Sequence, residues 1–236
     1  MDNIKDKKAA KKSKQASMLN VQLASGYIRR RQYDVARDKL DKAIAQDEKN
    51  IVAYTTMAIL MDRVDEPDKA EEFYVKALKI DSKNPELQNN YGSFLCSHDK
   101  IPQAIEQFNK VIKNQFYETP EKAYANLGYC LLKAKQPNYK LAEENLRKAI
   151  KIQPQLPSAL LSMAELGIAT HRSLLARAYA QRLHAITRPT AKSLWLQIQA
   201  ENDLGDRKYF LKLSRQLLKQ FPDSPETESL LGLNKK

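Results

Sequence analysis

Small apolar residues recur along the chain at a fixed spacing. The stretch DVARDKLDKAI, residues 34–44, is followed 34 residues later by DKAEEFYVKAL and 34 after that by PQAIEQFNKVI, with the apolar positions in the same phase. Apolar residues spaced three and four apart predict amphipathic α-helices. Over the whole chain the recurring position is small in all cases but the last: Ala36, Ala70, Ala104, Ala142, Ala176 and Phe210.

A second ladder lies twelve residues before the first, and it is again mostly small: Ala24, Ala58, Gly92, Gly128, Ala164 and Ile198. Two ladders of small residues indicate paired antiparallel helices that approach closely, since neither helix can bury its apolar face alone. We therefore expect Ala70, Ala104 and Ala142 to be buried between helices.

Proline and capping residues mark the predicted helix starts. In KNPE (83–86) Asn84 is a cap and Pro85 a first helical residue, and in ETPE (118–121) Thr119 and Pro120 have the same arrangement. The single 38-residue step in the ladder predicts two extra residues around NQFYET and two in KQPNYK.

The 34-residue period resembles the tetratricopeptide repeat (TPR). The resemblance implies an all-α fold, a right-handed α-solenoid of about six helix-turn-helix repeats with a short C-terminal capping helix. We expect a single superhelix over residues 17–236, with repeats at about 17–50, 51–84, 85–120, 121–156, 157–190 and 191–224 and the cap at 225–236.

Composition and charge indicate a globular protein with a basic N-terminus. Hydrophobic residues make up 42% of the chain, charged residues make up 29%, and the formal net charge is +12. Residues 1–16 carry six lysines against Asp2 and Asp6 and are predicted to form a flexible tether. An anionic partner or membrane surface for this segment is the alternative. An anion- or nucleic-acid-binding scaffold is a further interpretation, but the chain has no aromatic-lined basic face, so no nucleic acid is expected.

No catalytic motif is found, and neither a cofactor nor a metal is expected. The chain has no glycine-rich phosphate loop or nucleophile elbow, and its three histidines lack metal-ligand spacing. Cys96 and Cys130 are 34 residues apart, which suggests a disulfide. However, they are two places out of phase in their repeats, so we expect them to point apart and to act as packing residues.

The surface of such an array that is suited to recognition is the groove lined by outward positions of each first helix. In the N-terminal repeats these positions are mostly apolar, which is typical of a site for an amphipathic helix or strand of a partner. The alternative is that another segment covers them. The predicted groove residues are Met18, Val21, Ile28, Val52, Thr55, Ile59, Asn89 and Tyr129.

Three segments resemble one family in particular. The resemblance is to the PilF/PilW family of type IV pilus pilotins. It is carried by the helix NNYGSFL, by the long connection through FYETPEKAYANLG, and by the segment SLWLQIQAENDLGD that leads to FPDSPE. The resemblance implies a monomeric, non-enzymatic lipoprotein on the periplasmic face of the outer membrane, where it assists localisation and multimer assembly of the pilus secretin.

The family also implies an N-terminal lipid anchor. No lipid-bearing cysteine opens this chain, so Met1 is expected to stand in place of a leader and anchor cysteine, and the chain without them is expected to be soluble. A general TPR adaptor or chaperone with an unrelated client protein is the alternative function.

Overall fold

The computed structural model describes the backbone of residues 2–233 and the side chains of residue 7 and residues 9–232, and within that range it is all-α. The chain comprises two compact units, unit 1 (Met1–Asn114) and unit 2 (Gln115–Lys236). The helices of unit 1 are α1 (Asp2–Arg29), α2 (Tyr33–Gln46), α3 (Ile51–Arg63), α4 (Pro67–Ile80), α5 (Pro85–Ser97) and α6 (Ile101–Lys113). Those of unit 2 are α7 (Pro120–Lys133), α8 (Tyr139–Ile152), α9 (Pro157–Ala169), α10 (Ser173–His184), α11 (Ala191–Asp203), α12 (Arg207–Gln220) and α13 (Pro225–Leu233).

Consecutive helices pack in pairs within each unit. In unit 1, α1 packs on α2, α3 on α4 and α5 on α6, and the first helices α1, α3 and α5 also contact one another in sequence. Unit 2 repeats this pattern with α7 to α12, and α13 closes its end against α11 and α12. Leu230 of α13 is fully buried in a cluster with Leu194, Ile198 and Phe210.

Both ladders of small residues lie in the core. Ala70, Ala104 and Ala142 have no exposed surface, and the same holds for Ala24, Ala58 and Ala164 of the second ladder. The prediction that these positions mark close helix crossings is therefore confirmed. The helical repeat fold that the ladders indicate is confirmed with it.

One of the two predicted start signals acts in full and the other in part. Asn84 caps α5 by accepting a hydrogen bond from the amide of Leu87 (2.9 Å), and Pro85 is the first helical residue. Pro120 likewise begins α7, but the side chain of Thr119 makes no capping hydrogen bond. The rigid φ angle of proline is already compatible with a helix, so α7 begins at the predicted residue without that cap.

The turns inside the repeats share one backbone conformation. The residue two places after the end of the first helix adopts a left-handed conformation, with φ between 53° and 72°, at Arg31, Asp65, Asp99, His171 and Gly205. These turns have three residues, whereas the α7–α8 turn has five, 134–138, which confirms the extra pair in KQPNYK. The α6–α7 connection, 114–119, likewise has two more residues than the α4–α5 connection.

The N-terminal segment differs from the prediction. Residues 2–16 form the first half of α1 and not an unstructured tether, and Ser13 Oγ donates a hydrogen bond to the carbonyl of Gln46 (2.6 Å). Lysine, alanine and glutamine are strong helix formers, and no proline or glycine interrupts the chain before Gly26. The end residues of the predicted tether and cap, 1 and 234–236, lie outside the described residues.

Both cysteines are disulfide-bonded, and no free cysteine remains among the described residues. The expectation that they act only as packing residues is wrong. That expectation came from position in the repeat: Cys96 lies four residues after the crossing residue Gly92, and Cys130 lies two after Gly128. Position in a repeat gives the direction of a side chain from its own helix, but it does not determine whether a second sulfur lies within bonding distance.

No described helix combines the length and apolar content needed to cross a bilayer.

Candidate partner-binding groove

A groove with a volume of about 610 Å³ opens among the first helices of unit 1. Its lining comes from the middle of α1, the start of α3, the start of α5, and the connections that precede α3 and α5. The groove residues are Lys14, Met18, Asp47, Lys49, Asn50, Ile51, Val52, Thr55, Asn84, Glu86, Leu87 and Asn90.

Asn50 fixes one wall of the groove. Its side-chain oxygen accepts from the amide of Ala53 (3.2 Å) and so caps α3. Its amide nitrogen donates to Ser17 Oγ (2.8 Å), and Ser17 Oγ in turn donates to the carbonyl of Ala43 (2.7 Å). Because Ser17 and Asn50 are both buried, these bonds lock α1 to the end of α2 and the start of α3.

Asn84 holds the opposite wall in the same way, 34 residues further along. It caps α5, while Gln88 Nε2 donates to the carbonyl of Ser82 (2.7 Å) and orders the α4–α5 connection. The half-buried Asn90 faces the groove, and its side-chain amide has no hydrogen-bond partner among the described residues. That amide is therefore available to a peptide backbone.

The groove combines apolar surface with separate charges of both signs. Met18 and Val52 are 45% and 48% exposed, although both are large apolar residues. Lys14 and Lys49 stand beside Asp47 and Glu86, so the groove has no dominant charge. Apolar walls with a few fixed polar groups are what an extended or helical peptide segment needs for recognition.

The structure brings together three of the eight predicted groove residues: Met18, Val52 and Thr55 all line the groove. Thr55 is largely buried, and its hydroxyl donates to the carbonyl of Ile51 (2.8 Å), so it shapes the wall and offers little surface.

The other five predicted residues do not line the groove. Val21 and Ile28 are 4% and 6% exposed, Asn89 is also buried, and Ile59 is half-buried. Their helices pack on the neighbouring first helices, so positions that point outward from one repeat are covered by the next. Tyr129 is exposed but belongs to α7 in unit 2, where Lys133 Nζ lies 5.7 Å from its ring centre.

Sequence reasoning predicted Asn84 as a helix cap but placed neither Asn84 nor Asn50 in the groove, although a signal was present. Asn50 and Asn84 each precede a helix and are 34 residues apart, so the repeat phase that located the ladders also relates the two caps.

Outside the groove, a cluster of aromatic and charged residues holds α5 against α3 and α4. His98 Nε2 lies 2.6 Å from Asp62 Oδ1, and its ring packs on Phe94 with ring centres 4.5 Å apart. Tyr91 donates a hydrogen bond to Glu71 (3.1 Å), which also pairs with Lys100. The hydrogen bond from Lys100 lowers the pKa of Glu71, while burial and Glu71 raise the pKa of Tyr91 to about 12.

The first helices of unit 2 are joined by ion pairs to one buried carboxylate. Glu165 of α9 is buried, with Lys133 Nζ of α7 at 2.7 Å and Lys192 Nζ of α11 at 2.5 Å. Neither carboxylate oxygen has an aligned hydrogen-bond partner among the described residues, so the two lysines compensate the charge through their proximity.

The repeat fold and the groove define a TPR protein, a class whose members present helical grooves to other proteins. The TPR protein YrrB shares this fold with a TM-score of 0.57 at 20% identity over 84% of this chain and 98% of its own. The chain matches no protein-family model.

Closer relatives narrow the class. The type IV pilus assembly protein PilF of Pseudomonas aeruginosa is 30% identical over 206 residues, which cover 87% of this chain and 81% of PilF. The crystal structure of PilW, a widely conserved type IV pilus biogenesis factor, has a TM-score of 0.82 at 30% identity over 92% of this chain and 99% of PilW. The structure of P. aeruginosa PilF gives 0.77 at 28% identity over 93% and 98% of the two chains. The chain belongs to the PilF/PilW family of type IV pilus TPR proteins.

Proposed function

We propose that the protein is a non-catalytic pilotin whose unit 1 groove binds an apolar segment of the outer-membrane pilus secretin and assists its localisation and multimer assembly. The observation that carries the proposal is the exposure of Met18 and Val52 in a walled groove beside the available amide of Asn90. Membership in the family supports a partner from the type IV pilus machinery.

The proposed location is the periplasmic face of the outer membrane, with an N-terminal lipid anchor. Two disulfide-bonded cysteines support an oxidising compartment, since disulfides form and persist in the periplasm and are rare in the cytosol. The helix α1 would then connect the lipid to the groove.

The test is the substitution Val52→Glu in the full chain, expressed in a pilus-forming host that lacks its own copy. Val52 is exposed, so the free energy of unfolding should change by less than about 0.5 kcal/mol. A carboxylate in the groove would have to be desolvated against an apolar partner segment, so we expect secretin multimers, measured on gels run without heating, to fall at least tenfold.

Val75→Glu is the matched control, because Val75 is 39% exposed on α4 in the same unit but lies outside the groove. It should leave the multimers at the wild-type level. If Val52→Glu also gave wild-type multimers at normal protein levels, the groove would have no part in secretin assembly.

A further inference from the structure

The N-terminal part of unit 1 has an unusual charge distribution. Residues 7–31 contain eight basic residues and not one acidic residue: Lys7, Lys8, Lys11, Lys12, Lys14, Arg29, Arg30 and Arg31. Elsewhere in unit 1 acidic residues alternate with basic ones, so this charge is concentrated on α1 and the turn that follows it.

The helix α1 has two different faces. One packs on α2 and α3 through Ser17, Val21, Ala24 and Ile28, all of them buried. The opposite face, which we call the basic face, is open and forms a shallow surface with a volume of about 570 Å³. Its residues are Lys7, Ala10, Lys11, Lys14, Gln15, Met18, Leu19 and Gln22.

The basic face also exposes large apolar side chains. Leu19 is more than half exposed, and Leu23, one turn further along, is also exposed. Lysines next to exposed leucines on one helix are typical of helices that lie in a membrane interface. There the apolar side chains enter the acyl boundary and the ammonium groups reach the anionic headgroups.

The shape of the basic face distinguishes a membrane from a peptide partner. All the residues that line it come from α1, whereas the groove is walled by α1, α3 and α5. A peptide segment needs walls and fixed polar groups that read its side chains, and a single convex helix provides neither. A planar anionic surface needs only charge and an exposed apolar edge.

We propose that the basic face of α1 binds the surface of a bilayer that contains anionic phospholipid. The proposal depends on the charges and exposure of α1 and not on a lipid anchor or on the identity of the groove's partner. Lys14 and Met18 border both the basic face and the groove. A segment held in the groove would therefore lie next to the bilayer surface.

The experiment measures binding of the full chain to sedimented vesicles of phosphatidylcholine with and without phosphatidylglycerol. The test variant combines Lys7→Gln and Lys11→Gln on the basic face with Lys12→Gln at an exposed position beside it on α1, and it leaves every groove residue intact. A lysine near an anionic surface contributes about 1 kcal/mol, so losing three should weaken binding to the anionic vesicles roughly 100-fold. Binding of the wild type should also weaken as salt screens the charges.

The matched control is Lys79→Gln with Lys83→Gln and Lys113→Gln. These lysines are exposed in the same unit and form no ion pair among the described residues, so the net charge changes equally away from α1. The control should bind as the wild type does. A second variant, Leu19→Ser with Leu23→Ser, should weaken binding severalfold while keeping its salt dependence.

Three results would overturn the proposal. One is equal binding to neutral and anionic vesicles, and another is equal weakening by the test and control variants. The third is binding to an acidic peptide such as oligoglutamate without any binding to vesicles, which would assign the basic face to an acidic protein partner. Because no substitution touches the groove, these results are independent of secretin assembly.

Discussion

The two units use the same ladders of small residues but fill the surfaces of their first helices differently. In unit 1, asparagine caps hold the helix starts apart around an open groove with exposed Met18 and Val52. In unit 2, the buried carboxylate of Glu165 joins three successive first helices through Lys133 and Lys192. A second buried carboxylate, Glu201, pairs with Arg177.

The difference indicates a division of roles. A unit that compensates its buried carboxylates with its own lysines and arginines, as unit 2 does, ties its helices together and leaves few charged groups for a partner. A repeat that uses its polar groups as caps leaves apolar surface and unpaired amides for recognition. The packing of small residues determines the helical repeat fold in both units. The polar residues on the first helices determine whether a unit presents an open surface to a partner.

The largest expected effect tests the internal ion pairs of unit 2. Lys133→Ala with Lys192→Ala leaves the carboxylate of Glu165 buried without a compensating charge, because its oxygens have no aligned hydrogen bonds among the described residues. The carboxylate is buried, but each lysine is 43% exposed, so we expect a cost of about 3 kcal/mol in the free energy of unfolding, at the lower end for a broken buried pair. Urea denaturation followed by circular dichroism measures it.

Lys69→Ala with Lys110→Ala is the comparison in unit 1. Lys69 pairs with Glu66, the residue that precedes α4, and Lys110 pairs with Glu106 in α6. All four side chains are more than a third exposed, so the cost should stay below about 1 kcal/mol. Equal losses in the two double variants would contradict the division of roles.

We expect a smaller loss of stability when an alanine replaces the glycine at a helix crossing, and the size of the loss should differ between the two units. A Cβ at Gly167 in unit 2 would lie 2.6 Å from the backbone nitrogen of Ala176, whereas at Gly92 in unit 1 it would lie 2.8 Å from the ring of Phe108. A side chain can shift more easily than a helix backbone. Gly167→Ala should therefore cost about 2–3 kcal/mol in thermal or urea unfolding, and Gly92→Ala should cost less.

Gly26→Ala provides the control, since nothing lies within 4 Å of the new Cβ in α1. Removing a glycine from a helix interior should stabilise the protein by up to about 1 kcal/mol. If Gly167→Ala were as benign as Gly26→Ala, the close crossing of α9 and α10 would not be a constraint.

The frame of the fold was predictable from the sequence because it depends on residue size at a fixed period. The ladder positions such as Ala70 and Gly92, the caps before Pro85, and both two-residue insertions follow from spacing alone. The exposure of the groove residues was harder to predict. The position of Val21 and Ile28 in the repeat predicts the direction in which their side chains leave α1. It does not predict how closely the next first helix approaches, and that helix covers both side chains.

The helical state of residues 2–16 was missed for a related reason. A lysine-rich stretch is compatible with both a solvated tether and a helix, and composition alone did not choose between them. Contacts such as that of Ser13 with the end of α2 stabilise the helix, and they link residues 33 apart. Long-range hydrogen bonds of this kind leave no local periodic signal.

The smallest expected effect is on how the free energy of unfolding changes with pH, and it should differ between a carboxylate of unit 2 and one of unit 1. The pKa of Glu143 in unit 2 is lowered, first by its hydrogen bond from Arg172 (2.7 Å) and then by its hydrogen bond from Arg147 (2.6 Å). The pKa of Glu71 in unit 1 is lowered mainly by its hydrogen bond from Lys100. A carboxylate whose pKa is lower in the folded state stabilises the protein above its unfolded pKa of about 4.5. The contribution is lost as the pH falls through the lower, folded value.

Glu143→Gln should therefore reduce the free energy of unfolding by about 1 kcal/mol at pH 7 and leave it nearly unchanged once the wild-type carboxylate is protonated in both states. Glu71→Gln should have a smaller effect, because Glu71 pairs with a single lysine and a tyrosine hydroxyl. Glu144→Gln, at an exposed neighbour on α8 without an ion pair among the described residues, should not alter the pH profile. A profile of urea stability from pH 7 to pH 3 that shifted equally for all three variants would mean that the arginine pair of unit 2 gives Glu143 no special role.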